Sequence, residues 1–332
     1  MNKVVALLAL LILAPSVGAR ETTLTLVSSW NERQNFTRLF MDYVDAVNEA
    51  GEGIVQIDFL GGPEVIPQRQ LLYALRRGAI DMAFGGTTYY RGLLPEGDAM
   101  FASTITPMEA RASGALDALQ PYWRERINAR LVGWVQSGIG VNFYLADEPV
   151  FDANGMPDLT GLKIRTSPSN LELLKHLGGR AVQIAVKEIY TALQRGTVDG
   201  MVFTTTGLPD LGIQRFIRYR IDPAFLQLAI CLQINLDTWN ALDPAAQEIL
   251  ETQADLYARR IRKVFFDEQD RELELLARGG LVSVPVEDGD AYRALAHDVV
   301  WERFEKRAPE SAATLRPLFY PESVAVPSGD NR

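Results

Sequence analysis

The chain of 332 residues is long enough to form two hydrophobic cores of ordinary size, and its composition, 47% hydrophobic and 23% charged, is that of a globular protein. Its formal net charge of −9 gives no indication of a basic nucleic-acid-binding surface, so we expect no nucleic-acid partner. The single cysteine, Cys231, excludes an internal disulfide and a cysteine-based metal cluster, and its apolar neighbours predict a buried, inert thiol.

The first nineteen residues have the pattern of a cleavable export signal. Lys3 supplies a positive charge, residues 4–13 form an apolar run, and Val17-Gly18-Ala19 is a small-residue cleavage site. The apolar run is too short for an ordinary membrane span, and no later stretch approaches about 18 uninterrupted apolar residues. We therefore predict a signal peptide over residues 1–19 and an exported, periplasmic protein.

Hydrophobic periodicity predicts a chain in which strands and helices follow one another, which favours an α/β fold. The third predicted strand ends in a glycine- and threonine-rich segment that contains Thr87. The predicted strands lie at residues 23–28, 55–60, 80–84, 131–134, 141–145 and 224–236, and the predicted helices at residues 31–48, 71–75 and 107–129.

Residues 158–203 form the stretch around which the rest of the chain is organised. They read as strand, helix, strand, helix and strand, with Arg165 at the end of the first of these strands. In an α/β protein, ligands bind at the carboxyl ends of strands. A guanidinium there can present a planar pair of donors to a carboxylate or phosphate. From position alone, a structural Arg165 paired with an acidic neighbour is an equally good interpretation.

A short pattern, A-L-x-R-G-x-[I/V]-D, occurs at residues 74–81 and again at residues 192–199. Each copy predicts an amphipathic helix that ends at a left-handed glycine, Gly78 or Gly196, and is followed at once by a buried strand. Repetition of this unit predicts two lobes of similar build. The ends of their strands would face each other and form a cleft.

The longest predicted helix begins at Asp243, a good N-cap residue, with Pro244 at the first helical position and no further Gly or Pro before Gly279. At about 1.5 Å per residue it would span roughly 50 Å, which is longer than one small lobe. Its apolar stripe lapses at residues 267–270 and resumes at Leu273. This favours a helix that packs on one lobe, crosses a solvent gap and packs on the other, although a coiled coil or an ordinary surface helix has the same periodicity.

Three segments and one short element carry a family resemblance. They are GGPEVIPQRQLLYALRRGAIDMAF at residues 61–84, DLTGLKIRTSPSN at 158–170, AVQIAVKEIYTALQRGTVDGM at 181–201, and Trp239, Leu242 and Gln247 before the long helix. In this order they resemble the DctP-type solute-binding proteins of tripartite ATP-independent periplasmic (TRAP) transporters, and the resemblance covers nearly the whole mature chain.

The resemblance implies an α/β, two-lobed periplasmic-binding-protein fold, with a central ligand cleft and a long helix that spans both lobes. It also implies that Arg165 binds the carboxylate of an organic acid. The partners implied by the family are a small-molecule carboxylate ligand and the small and large membrane subunits of a TRAP transporter. No catalytic residue, cofactor or metal site is predicted.

The chain departs from the better-known members of that family at three places. Val141 or Asn142 stands near the position of a second arginine, Phe203 replaces a common asparagine, and Thr166 rather than glutamine follows Arg165. We therefore expect a pocket that is less polar and less cationic than theirs. This favours a monocarboxylate, with an apolar or aromatic tail, over a dicarboxylate or sialic acid.

Seven residues are predicted to contact the ligand. Asn142 is expected to donate to the carboxylate and Glu64 to accept from a ligand hydroxyl, while the aromatic residues are candidate walls that fit an ordinary core equally well. The predicted ligand-binding residues are Arg165, Asn142, Phe203, Glu64, Trp30, Tyr89 and Thr87.

For the domain organisation we predict two lobes, each formed by two stretches of chain. Lobe I is expected to comprise residues 20–146 and about 232–270, and lobe II residues 147–231 and about 271–325, with a flexible tail at residues 326–332.

Two alternative functions stay open at this point. The first is an exported hydrolase that uses the same cleft, and the second is a binding protein that serves another importer or a sensor. Against the hydrolase, His176 and His297 have neither metal-ligand spacing nor a neighbouring nucleophile, and no G-x-S-x-G motif occurs.

Overall fold

The computed structural model describes residues 21–321 of the chain; the predicted signal peptide and the predicted tail lie outside this part. Within residues 21–321 the chain forms twelve strands and twelve α-helices. The strands are β1 (Thr22–Ser28), β2 (Val55–Gly61), β3 (Met82–Gly86), β4 (Ala129–Leu145), β5 (Val150–Phe151), β6 (Pro157–Asp158), β7 (Lys163–Arg165), β8 (Arg180–Val182), β9 (Gly200–Thr204), β10 (Tyr219–Asp222), β11 (Leu226–Asn235) and β12 (Val282–Pro285). The helices are α1 (Asn35–Ala50), α2 (Leu71–Arg76), α3 (Gly97–Phe101), α4 (Pro107–Ala112), α5 (Ala115–Ile127), α6 (Leu171–His176), α7 (Ile189–Gln194), α8 (Leu208–Leu211), α9 (Leu236–Ala241), α10 (Pro244–Arg278), α11 (Gly289–Arg307) and α12 (Pro309–Phe319).

One ten-stranded sheet runs through the molecule in the order β2-β1-β3-β11-β4-β9-β7-β8, with β10 paired to β4 and β12 paired to β10. Strands β1, β2 and β3 are parallel at one end, and β7, β8 and β9 are parallel at the other. The antiparallel pair β4 and β11 lies between them and connects the two parallel groups. This confirms the predicted α/β architecture of two lobes joined by crossing strands.

The repeated sequence pattern forms the same structure twice, as predicted. Gly78 after α2 and Gly196 after α7 have φ values of 69° and 61°, the left-handed conformation that favours glycine. Asp81 and Asp199 then each accept a hydrogen bond from a backbone N–H of the neighbouring parallel strand, β1 or β7, at 2.9 and 2.7 Å. Each copy therefore connects a helix to a buried strand and fixes that strand to its neighbour.

At two places in the chain the predicted elements were wrong in extent. The strands predicted at 131–134 and 141–145 form one strand, β4, because its pairing with β11 continues through register irregularities around Gly138, whose φ is 78°. The helix predicted at 107–129 is two helices, α4 and α5, separated at Gly114, whose φ is also 78°. In both places a glycine in the left-handed conformation lies at the point where the prediction failed.

The long helix α10 has the predicted bounds, and the Asp243 side chain caps it by accepting from the Ala245 N–H at 2.8 Å. The apolar stripe is interrupted at residues 267–270, where the sequence predicted a solvent gap. The helix instead contacts β4 there, because Gln269 Nε2 donates to the Gly138 carbonyl oxygen at 2.7 Å. One turn later, the Glu272 carboxylate accepts from a backbone N–H in the loop after β9. The helix therefore contacts the crossing strand between its two packed segments. Its buried residues are Ala246, Leu250, Ala254, Tyr257, Ala258, Ile261, Phe265 and Leu276.

The buried apolar residues form three clusters on the two faces of the sheet. Cys231 is fully buried in one of them, as predicted, and burial raises the pKa of its thiol. Helix α12 packs against α3 and α5, and α11 packs against both α3 and α6. The exact lobe boundaries remain a prediction. None of the helices within residues 21–321 is both long enough and apolar enough to cross a membrane.

Candidate functional site

Arg165 is the last residue of β7, beside the strands β8 and β9 with which it pairs. It is only 7% exposed. Its Nη1 donates to the carbonyl oxygen of Val202 at 3.3 Å, and its Nε and Nη2 both donate to that of Ile184 at 3.3 Å. No acidic side chain of the described residues forms an ion pair with this guanidinium. The interpretation of Arg165 as half of a structural ion pair therefore has no support within residues 21–321.

The electrostatic surroundings of Arg165 favour an anionic partner. Burial lowers the pKa of Arg165, because desolvation disfavours the charged form, and nearby Tyr89 opposes this shift. Arginine nonetheless remains protonated in proteins and carries five N–H donors. Neutral carbonyl oxygens at 3.3 Å only partly satisfy these donors, so a carboxylate at this position would improve both the charge balance and the hydrogen bonding.

Tyr89 brings the opposite lobe to Arg165. It belongs to a single 3-10 turn, Thr87–Tyr90, that directly follows β3. Burial raises the pKa of Tyr89, and the charge of Arg165 is among the effects that lower it, so the two side chains are close enough to interact. The ring centroid of Tyr89 lies 5.8 Å from that of Trp30 in an edge-to-face arrangement. A cation from the second lobe therefore lies near an aromatic wall from the first.

Trp30 and Thr87 are both buried, with exposures of 5% and 2%. Trp30 packs on Phe36 with ring centroids 4.9 Å apart, which places it between the end of β1 and the start of α1. The Thr87 hydroxyl donates to the carbonyl oxygen of Gly97 at 3.1 Å, so its donor is used within the first lobe. Both residues lie near Tyr89, and their contact with a ligand stays a prediction.

The other three predicted residues lie in different surroundings. Asn142 and Phe203 face each other in the register of β4 and β9. The Asn142 amide nitrogen already donates to the carbonyl oxygen of Ile221 at 2.8 Å and to Asp222 Oδ1 at 3.1 Å. Donation from Asn142 to a ligand would require those two hydrogen bonds to be exchanged.

Glu64 lies in the turn after β2, where it is exposed and its Oε1 accepts from the Gly62 N–H at 2.6 Å. Its second carboxylate oxygen leaves it able to accept from a ligand hydroxyl. The predicted roles of Glu64, Asn142 and Phe203 are untested by this arrangement.

One inter-lobe contact could not be found from the sequence. Arg303 of α11 donates from Nε to Asp98 Oδ2 at 3.1 Å, and from Nη1 to Glu172 Oε2 and to the Ser169 carbonyl oxygen, both at 2.8 Å. Asp98 lies in α3, which follows β3, whereas Glu172 lies in α6, which follows β7 and Arg165. We call this set, Arg303 with Asp98 and Glu172, the Arg303 bridge. It connects the elements that follow the two cleft-forming strands.

A second contact between the lobes is a single hydrogen bond between two side chains. The Asn35 amide nitrogen at the start of α1 donates to the Thr206 hydroxyl, two residues after β9, at 3.2 Å. Both residues are buried, with exposures of 6% and 0%. Together with the Tyr89–Arg165 neighbourhood, this contact shows the two lobes apposed at the ends of their strands.

Comparisons with known proteins agree with this geometry. Residues 26–307 match the DctP family, described as bacterial extracellular solute-binding protein, family 7. A monocarboxylate 2-oxoacid-binding periplasmic protein of Nostoc sp. (strain PCC 7120) is 25% identical over 289 residues, which cover 80% of this chain and 74% of that protein.

Two solved structures illustrate the likeness of fold. A TRAP periplasmic solute-binding protein from Sulfitobacter sp. NAS-14.1, with bound β-D-galacturonate, superposes with a TM-score of 0.75 at 20% identity, covering 90% of this chain and 99% of the other. One from Desulfovibrio salexigens, with bound orotic acid, superposes with a TM-score of 0.76 at 18% identity, covering 90% and 97%. The fold is therefore that of the two-lobed TRAP solute-binding proteins, and the chain belongs to the DctP family of bacterial extracellular solute-binding proteins, as its sequence motifs predicted.

Proposed function

We propose that this protein is an extracytoplasmic solute receptor that binds an organic acid in the cleft and delivers it to a TRAP transporter. The observation that carries the proposal is the Arg165 guanidinium, buried at the end of β7 with backbone carbonyl oxygens as hydrogen-bond acceptors and no acidic partner within residues 21–321. The compared relatives support it, because 2-oxoacids, galacturonate and orotic acid all carry a carboxylate.

The preferred ligand in this proposal is a monocarboxylate with an apolar or aromatic tail. A second carboxylate would need a second cation. Val141 and Asn142 of β4 lie near the position where better-known family members have a second arginine, and both are uncharged. The nearby Arg220 is already paired with Asp222 at 2.9 Å. Trp30, Tyr89 and Phe203 supply the apolar surface for the tail, with Arg165 fixing the orientation of the carboxylate.

Closure of the lobes supplies the binding energy that Arg165 alone cannot. A charge-assisted hydrogen bond contributes about 1.5–3 kcal/mol net, whereas a micromolar Kd corresponds to about −8 kcal/mol. Two such bonds fall short, so burial of the tail and the contacts between the lobes must add to them. The Asn35–Thr206 hydrogen bond and the Arg303 bridge are contacts of this kind, and a ligand that touches both lobes biases the protein toward the closed state.

A receptor with this role acts in the periplasm, after export by the predicted signal peptide, and hands its ligand to the small and large membrane subunits of the transporter. It performs no catalysis. His297, one of the two histidines, is buried with its Nδ1 3.0 Å from the Ala102 carbonyl oxygen, and burial lowers its pKa to about 4, so it is neutral at pH 7 and held in the fold.

A thermal-shift screen of the mature protein tests this proposal. The ligands should span aliphatic and aromatic monocarboxylates, keto acids, dicarboxylates and sugar acids. An acid present at about 100 times its Kd should stabilise the protein by about 2.7 kcal/mol. We expect the largest shift with a monocarboxylate. A dicarboxylate or sugar acid as the best ligand would retain the receptor role and overturn the single-cation argument, and no shift with any class would contradict the proposed function.

A further inference from the structure

A cavity of about 490 Å³ lies where the two lobes are connected, and we call it the hinge cavity. All three connecting elements line it: β4 at Gly138, Gly140 and Asn142, residues 223–227 at the entry to β11 and its first two positions, and one face of α10. Of the seven residues predicted to bind the ligand, Asn142 lines this cavity, whereas Arg165, Trp30, Tyr89 and Phe203 do not. Its volume is within the range of about 300–1,000 Å³ that is typical of small-molecule sites.

Several polar atoms that line the hinge cavity are buried without a partner. Asn142 Oδ1 and Thr205 Oγ1 form no hydrogen bond with any described residue, although Asn142 is fully buried and Thr205 is 8% exposed. Arg293 Nε is likewise unpaired among residues 21–321, while its Nη2 contacts Asp290. An unmet buried polar atom costs about 1–3 kcal/mol, so the cavity has an amide acceptor, a hydroxyl and an N–H donor that a ligand could satisfy.

The charged and apolar groups of the hinge cavity narrow the class of ligand. Three arginines and two aspartates line it, and the third arginine, Arg293, is paired through Nη2 with Asp290 just outside the lining. Arg220 pairs with Asp222 at 2.9 Å, and Arg262 lies over the Phe266 ring, 4.8 Å from its centroid. Phe266 and the aromatic and aliphatic residues of the strand connection form an apolar side. The unpartnered Arg293 Nε–H is a charge-assisted donor that matches one carboxylate, and the apolar side matches a ring.

We propose that the hinge cavity is a second ligand site, separate from the Arg165 cleft, that binds a small monoanionic organic acid carrying a hydroxyl group and an apolar ring. The hydroxyl donates to Asn142 Oδ1, the carboxylate accepts from Arg293 Nε, and the ring packs beside Phe266. Because the ligand touches β4, the β10–β11 connection and α10 together, it favours the apposed arrangement of the lobes. Linkage then requires that it raise the affinity of the cleft for its own ligand, by the same factor in both directions.

The test uses 3-phenyllactate as the probe and isothermal titration calorimetry as the readout. The background is Arg165→Ala, which removes the cleft cation and leaves the hinge cavity lining unchanged. We expect this protein to bind 3-phenyllactate, and the added substitution Leu273→Trp, which fills the cavity, to weaken binding at least tenfold. The matched control is Leu275→Trp on the same helix, where Leu275 is 54% exposed and does not line the cavity; its Kd should stay within twofold.

A second variant keeps the test decisive if Leu273→Trp disturbs folding. Arg293→Gln removes the unpaired Nε–H without adding volume, and it should also weaken binding of 3-phenyllactate at least tenfold in the Arg165→Ala background. Absence of binding to Arg165→Ala overturns the second site, as does an equal loss in Leu273→Trp and Leu275→Trp. Failure here leaves the cleft proposal intact, because that proposal is tested by the acid screen on the protein with Arg165 present.

Discussion

Two substitutions in the Arg303 bridge distinguish its contribution to folding stability from its contribution to closure of the lobes. Arg303→Gln leaves Asp98, which is 3% exposed, without its main counter-charge. Burial raises the pKa of Asp98, and Arg303 is the larger of two arginine charges that lower it, the other being Arg91. Breaking a buried ion pair costs about 3–5 kcal/mol, and the remaining charge of Arg91 leads us to expect the lower end, about 3 kcal/mol of unfolding free energy.

Glu172→Gln removes only the arm of the bridge that reaches α6. The Glu172 side chain is 39% exposed, so solvent screening limits its contribution to less than about 1 kcal/mol. If the contact is made only when the lobes are apposed, its loss weakens the closed state and raises the ligand Kd by about two- to fivefold.

Urea unfolding measures the stability of both variants, and calorimetry with the best acid of the screen measures their affinity. We expect Arg303→Gln to lose unfolding free energy and Glu172→Gln to lose affinity with little change in stability. A loss below about 1 kcal/mol for Arg303→Gln would refute the assignment of a buried ion pair. An unchanged Kd for Glu172→Gln would show that the bridge does not report on closure.

The repeated unit and the long helix can each be tested with a matched pair of substitutions. Gly196→Ala should lose about 1–2 kcal/mol of unfolding free energy, because Gly196 is in the left-handed conformation and has open space around it. Gly92 does not have a positive φ, so Gly92→Ala should lose much less. Equal losses in the two variants would contradict the role of the backbone conformation. Burial raises the pKa of Glu272 from 4.5 to about 7, so between these pH values the folded protein binds more protons than the unfolded chain. The stability that protonated Glu272 contributes is therefore fully present below about pH 4.5 and is lost as the pH rises through 7. The free energy of unfolding, measured from pH 4.5 to 7.5, should decline in the wild type and in Glu274→Gln, whose side chain is on the exposed face of the helix, but not in Glu272→Gln. An identical pH dependence in the wild type and both variants would refute the role of Glu272.

The parts of the fold that sequence reasoning predicted are those with local signals. The left-handed glycines Gly78 and Gly196, each followed by an aspartate and a buried strand, identify the two βαβ units within a few residues of chain. Asp243 and Pro244 mark the start of α10 in the same way. The continuity of β4 was missed because it depends on pairing with β11, which lies far along the chain.

Less of the site was predictable, because most of its contacts join residues that are far apart in the chain. Arg165 was found because it ends a short strand within a motif. The Arg303 bridge was not, since Arg303 is 205 residues from Asp98 and 131 from Glu172, and nothing near any of the three indicates the others. The two hydrogen bonds of the Asn142 amide nitrogen are equally hidden, because they depend on β10 pairing beside β4.

The most direct test of carboxylate binding by Arg165 is a calorimetric titration of three proteins with the acid that stabilises the wild type most. Arg165→Ala should bind at least about tenfold more weakly, a loss of about 1.4 kcal/mol, with little loss of fold stability. Arg180→Ala, an exposed arginine on the neighbouring strand β8, should bind as the wild type does. Equal dissociation constants for the wild type and Arg165→Ala would contradict the account.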